Sequence, residues 1–178
     1  MEAPLDDGRD VPARWLTEHA SLLPPFGDAL DVACGRGRHA LWLAARGYRV
    51  RAVDRDAALV HAVAEQAAHR GLALRADVLD LESGSVSLGT DAFDVIVVVH
   101  YLHRPLFPLL ARALRPGGTL VYETFLRQQA SRGKPTNPAF LLEPGELTQL
   151  VAPLEVLVER EGDYEGRFVA SVVARRSS

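Results

Sequence analysis

The segment from residue 29 to residue 54, ALDVACGRGRHALWLAARGYRVRAVD, decides how this chain folds. An apolar run is followed by a glycine-rich turn at 34–37, a helix-forming run to Arg46, and a second β-like run that ends at Asp54. The order of strand, turn, helix and strand, with an acid at the tip of the second strand, is typical of a nucleotide-binding βαβ unit.

The turn and the acid have the chemistry of a site for an adenosine-containing cofactor. Gly35 and Gly37 lack a Cβ, so their backbone can adopt positive φ and approach a ligand closely. A helix that opens after Gly37 points free N–H groups and its positive dipole end toward that ligand. Asp54 is placed to accept hydrogen bonds from ribose hydroxyls.

Two kinds of adenosine cofactor fit this spacing. Gly35 to Ala40 match the dinucleotide pattern G-x-G-x-x-G/A, and Asp54 follows Gly35 by 19 residues, as in a nicotinamide-linked Rossmann oxidoreductase. Asp31, at the end of the first strand, favours a cation such as an ammonium or a sulfonium over an anionic pyrophosphate. The oxidoreductase remains the alternative, although no Tyr-x-x-x-Lys pair supports it, because Lys134 is the only lysine and residue 130 is alanine.

Length and composition indicate one globular domain. The chain has 178 residues, of which 48% are hydrophobic and 24% charged, as in ordinary globular proteins. The net charge of −3 argues against a nucleic-acid surface. No apolar run reaches the about 18 residues of a membrane span.

The N-terminus and the number of cysteines predict where the protein is located. The spacing of potential ligand residues predicts whether it binds a metal. The N-terminus is acidic and lacks the apolar stretch of a secretory signal. A single cysteine fits a reducing compartment, so we expect a cytoplasmic protein. No His, Cys, Asp or Glu cluster has metal-ligand spacing, so we expect no metal. The sequence leaves the oligomeric state open.

Helices and strands alternate along the rest of the chain. Asp10 and Pro12 predict the start of an N-terminal helix that runs to about Ser21. A β-branched run at 93–99 predicts a central strand buried on both faces. Further strands are predicted at 72–76, 119–124, 154–161 and 167–174, the last two forming a hairpin. This alternation predicts an α/β fold, a doubly wound, mostly parallel sheet with helices on both faces.

The order of the motifs resembles a known family. Phe93-Asp94-Val95-Ile96 opens a strand, and Leu114-Arg115-Pro116-Gly117-Gly118 leads into another. Together with the glycine turn and Asp54, they resemble class I S-adenosylmethionine-dependent methyltransferases over about residues 28 to 124. The segment 133–147 is similar to small bacterial members related to the tellurite-resistance type.

This resemblance implies a fold and an activity. The sheet is expected to have seven strands in the order 3-2-1-4-5-7-6, with strand 7 antiparallel. The expected activity is in-line methyl transfer from S-adenosylmethionine to a small-molecule acceptor, with S-adenosylhomocysteine as product and neither nucleic acid nor membrane as partner. A non-catalytic S-adenosylmethionine-binding scaffold is the second alternative. Residues 1–178 are expected to form a single domain, with an N-terminal helical cap at 1–27, a cofactor-binding core at 28–124, and an acceptor-side loop and hairpin at 125–178.

The expected site residues follow the carboxyl ends of the strands. Asp31 is expected to hold the methionine ammonium, and Asp77 with Val78 to meet the adenine. The full set of expected cofactor-binding residues is Asp31, Gly35, Arg36, Gly37, Asp54, Arg55, Asp77, Val78 and His100.

The acceptor side is expected at the tips of the fourth and fifth strands. His100, Tyr101 and His103 leave the fourth strand where the methyl group should point, and one of them is a candidate base. Tyr122 and Glu123 are expected to shape the acceptor pocket. The N-terminal helix and residues 127–144 are expected to close over it, with Trp15, His103, Tyr122 and Lys134 near the mouth.

Overall fold

A computed structural model describes residues 10–178. Residues 1–9 of the predicted N-terminal cap lie outside the described residues. The helices are α1 (Arg14–Glu18), α2 (Arg38–Ala45), α3 (Ala57–His69), α4 (Phe107–Ala113) and α5 (Glu146–Leu150). The strands are β1 (Asp28–Val32), β2 (Arg49–Asp54), β3 (Leu74–Val78), β4 (Phe93–Val99), β5 (Leu114–Phe125), β6 (Glu155–Tyr164) and β7 (Arg167–Arg175).

The seven strands form one sheet in the order β3-β2-β1-β4-β5-β7-β6. The first five strands are parallel, and β7 runs antiparallel to both β5 and β6. This confirms the strand order and direction predicted from the sequence. The β6–β7 hairpin closes through Glu165 and Gly166, both at positive φ, as a two-residue turn of the right twist requires.

Helices cover both faces of the sheet. Trp15 and Leu16 of α1, with the apolar sides of α2 and α3, pack on one face. Phe107 and Leu110 of α4 and Leu147 of α5 pack on the other. The β-branched run of β4 lies between these layers and is buried from Val95 to Val99, as its unbroken apolar sequence predicts.

Several predicted boundaries differ from the structure, and three of them bear on the expected site. Helix α1 has only five residues, and its N-cap is Ala13 rather than Asp10, whose carboxylate pairs with Arg36. Strand β3 continues to Val78 instead of ending before Asp77. Strand β5 continues to Phe125 because β7 pairs with it residue by residue to that point. The last two differences move the ends of the strands, and with them the residues at the site.

Candidate active site

A cavity of about 630 Å³ opens at the carboxyl ends of the parallel strands. It lies beside the point where the strand order reverses, between β1 and β4. Ligands bind at such switch points in doubly wound sheets. The cavity is therefore the candidate site, and its lining comes from the loops after β1, β2, β3 and β4, the end of β5, and the segment 134–140.

Asp54, the last residue of β2, lines this cavity and also holds the glycine turn. Its Oδ2 accepts a hydrogen bond from the Gly35 amide at 2.8 Å, and its Oδ1 accepts one from the Asp56 amide at 3.0 Å. An ionised carboxylate offers about four lone-pair positions, so two remain for a ligand. Asp56 caps α3 by accepting from the amides of Ala58 and Leu59.

The two turn glycines have different surroundings. Gly35 has φ +53° and open space where a Cβ would stand. Gly37 has φ +77°, and a Cβ there would lie 2.6 Å from Cγ2 of Val63 on α3. Gly37 is therefore required for helix packing, while Gly35 leaves the backbone open to a ligand. The Arg36 side chain pairs with Asp10 at 3.1 Å, and none of residues 35–37 lines the cavity.

Asp31 lies in β1, just before the glycine turn at 34–37. Its side chain is buried, and Oδ2 accepts a hydrogen bond from the Ala40 amide at 2.9 Å. Ala40 is the third residue of α2, so this carboxylate satisfies one of the free amides of the first helical turn. Burial raises the pKa of Asp31 to about 7. Asp31 does not line the cavity, and its contact with a methionine ammonium stays a prediction.

Asp77 and Val78 lie within β3, which is longer than predicted, and their expected contacts with the adenine stay a prediction. Asp77 stands within the strand, and its Oδ2 accepts from Arg51 at 2.8 Å and Arg75 at 3.1 Å. Val78 also lies outside the cavity lining, with 57% of its surface exposed. The acid that lines the cavity after β3 is Asp80, with Leu79, Leu81 and Glu82 beside it.

The tip of β4 brings His100 and Tyr101 into the cavity. The His100 ring stacks on Phe125 with centroids 4.6 Å apart. Burial, with smaller contributions from Arg38 and Arg167, lowers the pKa of His100 to about 4. Burial and the nearby Glu82 raise the pKa of the Tyr101 phenol above its ordinary value.

His103 is set back from the cavity lining. Its Nδ1 lies 3.9 Å from Oε1 of Glu82, which also accepts a hydrogen bond from the Tyr101 hydroxyl at 3.4 Å. His103 is therefore close to a cavity residue, Glu82, without lining the cavity itself.

The backbone is strained at two tips that border the cavity. Ala33 follows β1 with φ +53°, and His100 follows β4 with φ +57°. Both residues line the cavity. Positive φ is uncommon for residues other than glycine, and such strain concentrates at binding sites.

Three residues expected at the acceptor pocket belong to the protein interior. Trp15 is buried, and its Nε1 donates to the Val172 carbonyl at 3.2 Å. The Tyr122 hydroxyl donates to the Tyr101 carbonyl at 2.6 Å, and Glu123 Oε2 accepts from Ser171 at 2.5 Å. The expectation that Trp15 and Tyr122 lie near the mouth was wrong, because Trp15 packs in the core under α1 and β5 continues past Tyr122. Thr124 and Phe125, at the end of β5, line the cavity instead of Tyr122 and Glu123.

The segment after β5 forms the far side of the cavity, as its position in the chain predicts. Lys134 to Asn137 and Phe140 line it. Arg104 fixes this segment: its Nε and Nη2 donate to the two oxygens of Glu146, at 2.5 and 3.1 Å, and its other contacts are the carbonyls of Ala139 and Leu141. By contrast, α1 contributes nothing to the lining.

Some residues that line the cavity were not predicted from the sequence, because no local sequence pattern marks them. Asp80 and Thr124 became visible only once the ends of β3 and β5 were known. Leu102 and Phe140 resemble ordinary apolar residues in the sequence. Arg104 follows the tip of β4 directly, but nothing in the sequence links it to Glu146, 42 residues later.

Comparison with known proteins agrees with this geometry. The family described as "methyltransferase domain" matches residues 29–118, which is half of the chain and covers the unit from β1 to the beginning of β5. This chain belongs to the class I S-adenosylmethionine-dependent methyltransferase family. The family predicted from the sequence is therefore confirmed, and S-adenosylmethionine is its cofactor.

Two curated proteins are similar in sequence to part of this chain. One is Hemagglutinin 1 of Eikenella corrodens, 33% identical over 138 residues, which cover 74% of this chain and 45% of the relative. The other is the ribosomal protein L11 methyltransferase of Sorangium cellulosum, 36% identical over 120 residues, 66% of this chain and 37% of that protein. The chain thus spans less than half the length of the curated relatives that it matches.

A solved structure shows the same fold. TehB from Haemophilus influenzae superposes with a TM-score of 0.77 at 18% identity, over 94% of this chain and 63% of that one. Within residues 10–178, no three or more His, Cys, Asp and Glu side chains are grouped in a way that could hold a metal ion. No helix in that range has the length and apolar character needed to cross a membrane.

Proposed function

We propose that this methyltransferase domain transfers the methyl group of S-adenosylmethionine to a small-molecule acceptor by in-line displacement. One observation carries the proposal: a single cavity joins the carboxylates after β2 and β3 to the tips of β4 and β5. A cofactor held by Asp54 and Asp80 would thus share an enclosed space with a second molecule. In-line displacement requires this proximity and alignment above all.

The described residues fit the adenosine half of the cofactor. Asp54 keeps lone pairs for ribose hydroxyls after its two backbone bonds, and Asp80 is placed to accept from the adenine amine. Leu79, Leu81 and Leu102 supply apolar surface for a base. When bound, S-adenosylmethionine supplies an electrophilic methyl group on a sulfonium.

The residues at the β4 tip favour positioning over proton transfer. A base with a pKa near the working pH is the most effective, whereas His100 has a pKa of about 4. The Tyr101 phenol, whose pKa is raised, stays protonated. The His100 ring and Phe125 form a stacked surface beside the cavity. Neither His100 nor Tyr101 is therefore proposed as the base, and His103, whose Nδ1 lies 3.9 Å from Glu82, is the remaining candidate of the three.

Calorimetric titration with S-adenosylhomocysteine and NADH, followed by turnover with labelled S-adenosylmethionine, tests this proposal. We expect S-adenosylhomocysteine to bind, NADH not to bind, and label to appear in a small acceptor. Binding without transfer to any acceptor would favour a non-catalytic scaffold. Transfer to RNA or protein instead would contradict the proposed acceptor class. We also propose that residues 1–178 form a single domain and that the protein is cytoplasmic.

A further inference from the structure

The side of the cavity formed by the end of β5 and the segment after it differs in charge from the opposite side. We name it the post-β5 wall and define it as Thr124, Phe125, residues 134–137 and Phe140. The three carboxylates of the cavity are those of Asp54, at the end of β2, and of Asp80 and Glu82, on the loop after β3. The post-β5 wall contains no carboxylate. The cavity is thus divided into a side that holds these three carboxylates and Arg55, where the adenosine is proposed to bind, and a side without negative charge.

Thr124 places a hydroxyl on this wall that the protein does not use. The residue is only 1% exposed and lines the cavity. Its side chain makes no hydrogen bond with any residue between 10 and 178, whereas the hydroxyls of the nearby Tyr122 and Ser171 are both bonded. No buried side-chain nitrogen or oxygen among residues 10–178 lacks a hydrogen-bond partner, so the Thr124 hydroxyl is open to the cavity, where water or a ligand can be its partner.

Lys134 places a positive charge at the exposed end of the same wall. It is the only lysine in the chain and makes no ion pair with the described residues. Its basic neighbours are all paired: Arg127 with Glu143, Arg132 with Asp163, and Arg104 with Glu146. The ammonium group has donors only, so it requires an acceptor from outside the protein or from water.

Asn137 adds a third donor. Its Oδ1 already accepts from the Ala139 amide at 3.0 Å, which leaves the two N–H groups of the side chain. Phe125 and Phe140 line the same part of the cavity. The wall therefore combines hydrogen-bond donors and a cation with apolar surface.

We infer that the post-β5 wall binds the methyl acceptor through an oxyanion, a carboxylate in the first instance, attached to an apolar body. The inference rests on the proposed function and names the substrate class of that same site. Lys134 and Thr124 recognise the anionic group, and Phe125 and Phe140 pack on the apolar body. In the reaction, a lone pair of the acceptor forms the new bond to the methyl carbon, and the pair of the broken S–C bond goes to sulfur. An acceptor atom that is already deprotonated releases no proton.

Matched carboxylate and amide probes test the inference on the intact chain loaded with S-adenosylhomocysteine. The probes are benzoate with benzamide and phenylacetate with phenylacetamide, and binding is measured by ligand-observed NMR and calorimetry. We expect each carboxylate to bind about tenfold more tightly than its amide, because a site built for a charged group rejects a neutral analogue. Lys134→Met should remove this preference, and Thr124→Val, which keeps the side-chain shape, should weaken it.

A matched control is Arg127→Met, which removes a positive charge from the same segment but outside the cavity lining. It should leave the preference unchanged. Equal binding of carboxylates and amides, or no binding of either, would overturn the inference. So would a Lys134→Met protein that retains the preference, or one that loses S-adenosylhomocysteine affinity instead, since Lys134 would then serve the cofactor. Failure of the wild-type chain to bind S-adenosylhomocysteine would count against the proposed function itself.

Discussion

Asp54 has two roles. Its carboxylate accepts a hydrogen bond from the glycine turn, and it also lines the cavity. We predict that Asp54→Ala weakens S-adenosylhomocysteine binding at least tenfold, about 1.4 kcal/mol, through the loss of charge-assisted hydrogen bonds. It should also lower stability, since the amides of Gly35 and Asp56 lose their acceptor. Calorimetry and thermal melts measure the two effects. A folded Asp54→Ala protein with unchanged affinity would remove the ribose role.

Asp56→Ala is the matched control for Asp54. It removes the cap of α3, which accepts from the amides of Ala58 and Leu59. Loss of such a cap costs about 1 kcal/mol of stability. Because Asp56 does not line the cavity, the affinity for S-adenosylhomocysteine should stay within about twofold, less than 0.5 kcal/mol.

We predict that Gly37 matters mainly for the packing of the glycine turn against α3. The added Cβ of Gly37→Ala would meet Val63 at 2.6 Å, and alanine at positive φ costs a further 1–2 kcal/mol or so. We expect a lowered melting temperature that Val63→Ala partly restores in the double variant, because the clash is then relieved. A Gly37→Ala protein as stable as the wild type would contradict this.

Gly35→Ala provides the complementary test. A Cβ there meets no protein atom within 4 Å, so only the cost of positive φ reduces stability. The free energy of S-adenosylhomocysteine binding should change by more than the free energy of unfolding, since the new methyl group stands in open space beside the turn. Loss of stability with intact affinity would show that the turn does not meet the cofactor.

At the scale of elements, the unit from β1 to β2 could be predicted from the sequence because its signals are local. The glycine turn, Asp54 and the cap Asp56 all lie within 23 residues of one another. The ends of β3 and β5 could not be predicted in the same way. They depend on pairing with β2 and β7, which no local pattern reveals. Tyr122 was therefore expected at the acceptor pocket although its side chain is buried, the adenine contact of Asp77 stays a prediction, and Asp80 and Thr124 were overlooked.

The segment after β5 depends on Arg104, which makes two hydrogen bonds to Glu146 and donates to two carbonyls. We predict that Arg104→Met raises hydrogen exchange at residues 134–142 and leaves S-adenosylhomocysteine affinity nearly unchanged. A bidentate Arg–Glu pair of this kind is stronger than a simple surface pair. Arg127→Met, which removes the more exposed pair with Glu143, should have a smaller effect. Equal exchange in the two variants would show that Arg104 does not fix the segment.

For the molecule as a whole, titratable groups that are buried or partly buried, Asp31, His39 and His100, couple stability to pH. His39 is buried, and its Nε2 accepts from the Ala13 amide at 3.2 Å. Burial lowers the pKa of His39 from 6.5 to about 3 and that of His100 to about 4. Burial raises the pKa of Asp31 from 3.8 to about 7. The histidines and the aspartate therefore act in opposite directions.

Between about pH 4.5 and pH 6, these shifts predict that stability falls as the pH falls. In this range the unfolded chain binds two more protons than the folded chain at His39 and His100, and one fewer at Asp31. The net difference of one proton gives a slope of about 1.4 kcal/mol per pH unit. Urea denaturation at several pH values measures this slope. His39→Gln, which keeps an acceptor for the Ala13 amide, should bring it close to zero, whereas Asp31→Asn should roughly double it. A wild-type slope of zero, or a His39→Gln slope equal to that of the wild type, would show that these buried groups do not control the acid stability of the fold.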